Sequence, residues 1–134
     1  MKNYLFKAKT IDNPKWVHGS LVKLNDGNYC IYEFGKTELY APIIDSKSIC
    51  QFTGMVDKNG TNIFDGDMVK SDKMFYSTHF AVVQWLGKRC GFFYVADAVG
   101  TDIINRNPFK SAYKMNSLKV EIIGNINDNL NETK

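Results

Sequence analysis

Gln51-Phe52-Thr53-Gly54-Met55-Val56-Asp57-Lys58-Asn59-Gly60-Thr61-Asn62-Ile63-Phe64-Asp65-Gly66-Asp67-Met68-Val69-Lys70 is the stretch whose reading decides the fold. Ile49 to Phe52 has strand composition, and Thr53-Gly54 is expected to break that strand. Asp57-Lys58-Asn59-Gly60 is a tight turn, and Asp65-Gly66-Asp67 is another, after which Met68-Val69 opens a new strand. Glycine accepts positive φ, and Asp and Asn bond their own backbone, so closely spaced turns of this kind fold a chain back on itself repeatedly. The segment predicts antiparallel β structure.

Upstream, Tyr4, Phe6 and Ala8 alternate with Leu5, Lys7 and Lys9, the period of a strand. Asp12-Asn13-Pro14 turns the chain, and Lys15 to Lys23 and Tyr29 to Phe34 flank Asn25-Asp26-Gly27-Asn28, which predicts a hairpin over residues 15–34. A looser stretch follows through Gly35, Pro42 and Asp45-Ser46-Lys47. Downstream, His79 to Leu86 is apolar nearly throughout and predicts a strand covered on both faces. Gly87 to Gly91 is a loop, Phe92 to Ala96 returns, and Phe109 to Met115 is compatible with a short helix. Lys119 to Ile126 reads as a final strand interrupted at Gly124.

The resulting expectation is a mainly β protein, a small antiparallel barrel or sandwich. An N-terminal β-hairpin region covers 1–48, a region resembling an SH3-like barrel covers 49–128, and a frayed tail covers 129–134. The 134 residues are enough for a core that needs neither disulfide nor metal. The 13% aromatic content suits both small β cores and interfaces.

Charge narrows the function classes. The net charge is +3, from 17 basic and 14 acidic residues without a run of one sign, which is not the dense basic stripe of a dedicated nucleic-acid binder. Cys30, Cys50 and Cys90 are too few and too dispersed for a disulfide framework or a CxxC site. Met1-Lys2-Asn3 and the alternating residues after it do not read as a secretory leader, so a cytoplasmic location is expected, with no membrane partner.

Several motifs resemble chemistry and are better explained by structure. Gly35-Lys36-Thr37 ends like a phosphate-binding loop, but Cys30 stands where the earlier glycine belongs. A calcium loop starting at Asp57 would need Gly at its sixth position and Glu at its twelfth, where Asn62 and Met68 stand. Asp65 and Asp67, two apart, could share a face for acid–base work, or they could cap backbone N–H groups at a turn. His18 and His79 lack the paired spacing of a metal site, and Cys50 and Cys90 read as packing residues. No catalytic residue, metal ligand or cofactor is assigned. The binding candidates are Lys70, Lys73, Phe75 and Tyr76 in the loop after Val69, with Lys88 and Arg89 in the Gly87–Gly91 loop. Basic and aromatic residues together can contact phosphates and stack on bases, whereas the structural alternative is a solvated hairpin tip with its aromatics turned inward.

The central segment resembles the YopX family, whose members carry a block similar to the one from Gln51 to Lys70. Thr53, Gly54, Asp57, Asn59, Gly60, Asp65, Gly66 and Asp67 carry the likeness. The closing Val120-Glu121-Ile122-Ile123-Gly124-Asn125-Ile126 is similar to the family's ending, with Gly124 and Asn125, and Trp16-Val17-His18-Gly19-Ser20-Leu21 resembles an early family strand. Phe52, Met55, Phe64 and Asp65 depart conservatively from the family's more usual residues. The resemblance implies a β-rich fold with an SH3-like barrel, a phage or prophage origin in a bacterial host, and homo-oligomerisation. It implies no reaction. The expected role is a non-enzymatic accessory protein that assembles with itself and binds an unidentified phage or host macromolecule; the alternative is nucleic-acid binding through the basic–aromatic loops.

Overall fold

A computed structural model describes residues 5–33, 41–71, 80–101, 108–115 and 120–128, the side chains of 97–101 and 108–111 excepted. The chain divides into two compact units, one containing residues 1–54 with 127–134 and the other Met55–Ile126.

In the first unit β1 (Phe6–Lys9) pairs antiparallel with β2 (Trp16–Lys23), and β2 with β3 (Tyr29–Glu33), the hairpin expected around Asn25–Asn28. The looser stretch contains a short β4 (Ile43–Ile44) on β3, followed by a 3-10 turn, Ser46–Ser48, capped by Asp45 accepting from the Lys47 N–H at 2.9 Å. β5 (Cys50–Val56) pairs with the other edge of β1. The period-2 side chains Ala8, Val17, Ile31 and Ile44 meet as a buried core, flanked by Phe6, Leu21, Tyr29 and Ile49. Gly19 is obligatory here: a Cβ at that position would lie 1.8 Å from the carbonyl oxygen of Tyr32 on the paired strand.

β5 does not stop at Thr53-Gly54 as its sequence suggests; the strand continues to Val56, with Gly54 at φ 90° absorbing the distortion. The hairpin at Asp57–Gly60 leads into β6 (Asn62–Phe64), completing the sheet order β4-β3-β2-β1-β5-β6.

The second sheet, in order β10-β9-β8-β7-β11, is antiparallel throughout. Its strands are β7 (Asp67–Lys70), β8 (Phe80–Leu86), β9 (Gly91–Thr101), β10 (Pro108–Lys114) and β11 (Glu121–Asn125). Ile63, Val69, Ala81, Val83, Tyr94, Ala96 and Val120 form its buried core, with Phe92, Tyr113, Met115 and Ile122 packed at the margin. The mainly β, antiparallel expectation holds. The sheet is nevertheless open rather than closed into a barrel among the described residues, so the SH3-like expectation is met only as far as five antiparallel strands.

Two further expectations are corrected. Phe109 to Met115 is not a helix: Pro108–Lys114 is a strand, with Ala112, Tyr113 and Lys114 opposite Val95, Tyr94 and Phe93. A helix of that length has little stability of its own, so ladder pairing with β9 prevails. β8 is not covered on both faces either. Ala81 and Val83 are buried, while Phe80, Gln84 and Trp85 are exposed. Residues 34–40, with Gly35-Lys36-Thr37, and the tail 129–134 lie outside the described residues.

Candidate functional site

Asp57 opens the hairpin turn and is only 3% exposed. Its Oδ1 accepts from the Asn59 and Thr61 N–H groups, both at 2.9 Å, and its Oδ2 accepts from the Ile122 N–H at 3.1 Å. The adjacent Lys58 N–H donates to the Val120 carbonyl at 3.0 Å, so the turn is fastened to the β11 segment on both sides of the peptide. Burial acts to raise the Asp57 pKa, but the N–H donors of Ile122, Thr61 and Asn59, helped by the charge of Lys58, outweigh it and hold the carboxyl below its ordinary 3.8. Such a group is a fixed anion, unsuited to exchanging protons near neutrality.

Asp67 is fully buried. One oxygen accepts from the Phe64 N–H at 2.8 Å and closes the Asp65-Gly66 turn; the other accepts from Asn125 Nδ2 at 2.9 Å, joining β7 to β11. Gly66 sits at φ 89°, donates to the Val83 carbonyl at 2.7 Å and accepts from the Ile126 N–H at 2.9 Å. Asp65 is half-buried in the turn, so the two carboxylates do not face one solute together. Gly124 lies where the β11–β7 register shifts. The segment that dominates the sequence thus spends its buried carboxylates on backbone N–H groups and the Asn125 amide, and sequence spacing carries no sign of the link from Asp57 to Ile122.

The binding candidates are dispersed. Lys70 pairs with Glu121 Oε1 at 3.5 Å, and Lys58 approaches the same oxygen at 3.7 Å, so Lys70 belongs to a surface ion-pair network on β7 and β11. Lys73, Phe75 and Tyr76 lie outside the described residues, as does His79. Lys88 and Arg89 are exposed on a 3-10 turn, Gly87–Arg89, at the end of the β8–β9 hairpin.

That hairpin end is where the structure gathers exposed groups of binding type. Trp85 is 54% exposed and meets Phe92 edge to face at a centroid distance of 5.1 Å. Arg89 lies over the Phe93 ring at 5.3 Å. A 390 Å³ groove is bounded by Trp85, Leu86, Lys88, Arg89, Val95 and Ala112, two cations and no carboxylate among them. Cys90, expected to pack, is instead exposed in a left-handed conformation, φ 52°. Trp85 was hidden to sequence reasoning by the apolar run around it. The signal that could have found it is the alternation Ala81, Val83, Trp85, which carries a large residue one step past the core.

A larger depression of 640 Å³ in the first unit is lined by turn residues, including Asp12, Asn13, Asn28 and Asp45. Asp45 is there already the cap of the 3-10 turn. Among the described residues no group of three or more His, Cys, Asp or Glu could hold a metal ion, and no helix is long and apolar enough to cross a membrane.

Fold and site together define a two-unit antiparallel β protein whose turn-borne carboxylates act as ligands for its own backbone. The chain belongs to the YopX family: the family model described as YopX protein matches residues 5–131. No curated protein matches it.

Proposed function

We propose that this YopX-family protein is a non-enzymatic accessory protein of a phage or prophage that works in the bacterial cytoplasm by binding another macromolecule, with the end of the β8–β9 hairpin as its docking element. The observation that carries this reading is Trp85, more than half exposed beside Phe92 and next to the exposed Lys88 and Arg89. Tryptophan and arginine dominate interface energetics, and leaving a tryptophan in water has no use in a core. A pull-down from lysogenic or infected cells, run with wild type and with Trp85→Ala, tests it. Retention of a partner by wild type and its loss with Trp85→Ala is the expected result; equal retention by both would remove the hairpin end from the account.

Self-assembly is the second part of the proposal. Exposed Ile11 and Ile43 adjoin one another in the first unit, where the Ile11 N–H donates to the Ile43 carbonyl, an apolar patch suited to contact between copies. Light scattering behind size exclusion checks it, and a strict monomer at micromolar concentration would exclude it.

Nucleic-acid binding is a second reading, supported by Arg89 over the Phe93 ring with the exposed Lys88 next to it in the turn. It requires affinity that falls with salt and falls again when both residues become Ala.

A further inference from the structure

Beyond the hairpin tip, the outer face of the second sheet carries an apolar row that ends at an edge strand. Met68 stands opposite Val82, Val82 opposite Val95, and Val95 opposite Ala112. All four are half-buried, on the face opposite the core residues Val69, Ala81, Val83 and Tyr94. The row ends on β10, which closes the sheet order at that side among the described residues. The groove beside the tip opens onto the same end of the row, since Val95 and Ala112 line it. Phe93 lies one row further, with Lys114 opposite it and Arg89 over its ring. An edge strand, an adjacent apolar trough and a rim of exposed Lys88, Arg89 and Lys114 therefore occur together.

We propose that β10 receives an extended acidic segment of a partner protein as an added strand, its apolar side chains entering the groove at Val95 and Ala112 and its carboxylates meeting Lys88, Arg89 and Lys114. Strand addition takes its affinity from main-chain hydrogen bonds and its selectivity from every second side chain, and here the trough at Ala112 and the cation at Lys114 stand two residues apart on one face. Charge chooses the occupant. A second copy of this chain is disfavoured, because β10 reads Pro108-Phe109-Lys110-Ser111-Ala112-Tyr113-Lys114, with two lysines and no acid, and pairing it with itself sets basic strand against basic strand. Single-stranded nucleic acid stacks on a succession of open aromatic faces, whereas here Arg89 covers Phe93 and Trp85 meets Phe92 edge to face.

This inference rests on the reading of the hairpin end as a docking element, and the test separates the two. Fluorescence anisotropy of the full chain is measured with four labelled probes. They are a seven-residue Glu–Val peptide, Thr-Glu-Thr-Val-Thr-Glu-Thr, whose Glu and Val side chains share one strand face and whose length matches the seven residues of β10, the same peptide with Lys for Glu, an N-methylated Glu–Val peptide, and oligothymidine. Binding of the Glu–Val peptide, none of the Lys–Val peptide, and weakening by about tenfold or more on N-methylation are expected, because strand addition depends on backbone donors. Lys114→Glu, an exposed change that leaves the core intact, and Arg89→Ala should each weaken the Glu–Val peptide by about tenfold, the scale of one charge-assisted contact. Equal binding of the N-methylated or the Lys–Val peptide would overturn strand addition or charge selection. Binding of oligothymidine alone would overturn the peptide and keep the docking element; binding of no probe would count against both.

Discussion

Two hairpin turns in this chain share one backbone and differ in where an aspartate stands. In the first, Leu24 donates to the Asn28 carbonyl at 2.7 Å and Gly27, at φ 92°, donates to that of Leu24 at 3.0 Å. In the second, Asp57 donates to Thr61 at 2.8 Å and Gly60, at φ 82°, donates to Asp57 at 3.0 Å. Both are type I turns followed by a left-handed glycine, a standard short hairpin loop. Asp26, at the third position of its turn, is exposed and caps the Asn28 N–H. Asp57, at the first position, lies under its turn, satisfies two local N–H groups and spends its second oxygen on Ile122. The lesson is that an identical loop is a local convenience in one place and a tertiary fastening in the other, decided by which loop position carries the carboxylate.

The sharpest way to break this comparison is to remove the carboxylates. Asp57→Ala takes the acceptor from three part-buried backbone N–H groups, and Asp67→Ala takes it from the buried Phe64 N–H and Asn125 amide; each is expected to cost about 3 kcal/mol in urea unfolding. Asp26→Ala, at an exposed turn, should cost no more than about 1 kcal/mol. Equal losses at Asp26 and Asp57 would dissolve the distinction.

The glycines are the complementary control. Gly27→Ala and Gly60→Ala both force a side chain into the left-handed region while meeting no atom within 4 Å. Each should lose about 1–2 kcal/mol, nearly equally, because the strain is local. A much larger loss at Gly60 would mean that the fastening acts through the loop backbone and not through the carboxylate.

Acid sharpens the comparison further. The folded pKa of Asp57 lies below its ordinary value, so its contribution is complete above about pH 5 and is lost as pH falls below about 4 and through the folded value. Asp57→Asn should therefore flatten the acid limb of the stability profile of the second unit, read by urea midpoints between about pH 5 and 2. An acid limb unchanged in Asp57→Asn would assign that dependence elsewhere. The smallest effect is expected at Lys58→Ala, about 0–1 kcal/mol, because its contact with Glu121 is a surface pair with half-exposed partners.

Much of this fold is legible in the sequence where structure is local. The hairpin around Asp26-Gly27, the turn at Asp57–Gly60 and the strand at Glu121–Asn125 all follow from turn chemistry and period-2 alternation. What was illegible depends on distant residues. Continuation of β5 through Gly54 and formation of β10 come from neighbouring strands, whose pairing overrides a weak local preference. Exposure of Trp85 depends on where the core ends, and the reach of Asp57 to Ile122 spans 65 residues. Of the binding candidates, Lys88 and Arg89 could be marked by loop composition, but the groove between them, Val95 and Ala112 exists only once β9 and β10 pair.

The central claim is that the segment from Gln51 to Lys70 is scaffold, with Asp57 as its tie to β11. Amide hydrogen exchange at Ile122, compared between wild type and Asp57→Asn, addresses that claim directly. The substitution keeps shape but sets an NH₂ or an overburdened carbonyl where two oxygens accepted three N–H groups. Exchange faster by about tenfold or more at Ile122, with the Asn28 amide unchanged, is the predicted result, a factor of ten being about 1.4 kcal/mol of local opening. Unchanged protection at Ile122 would contradict it.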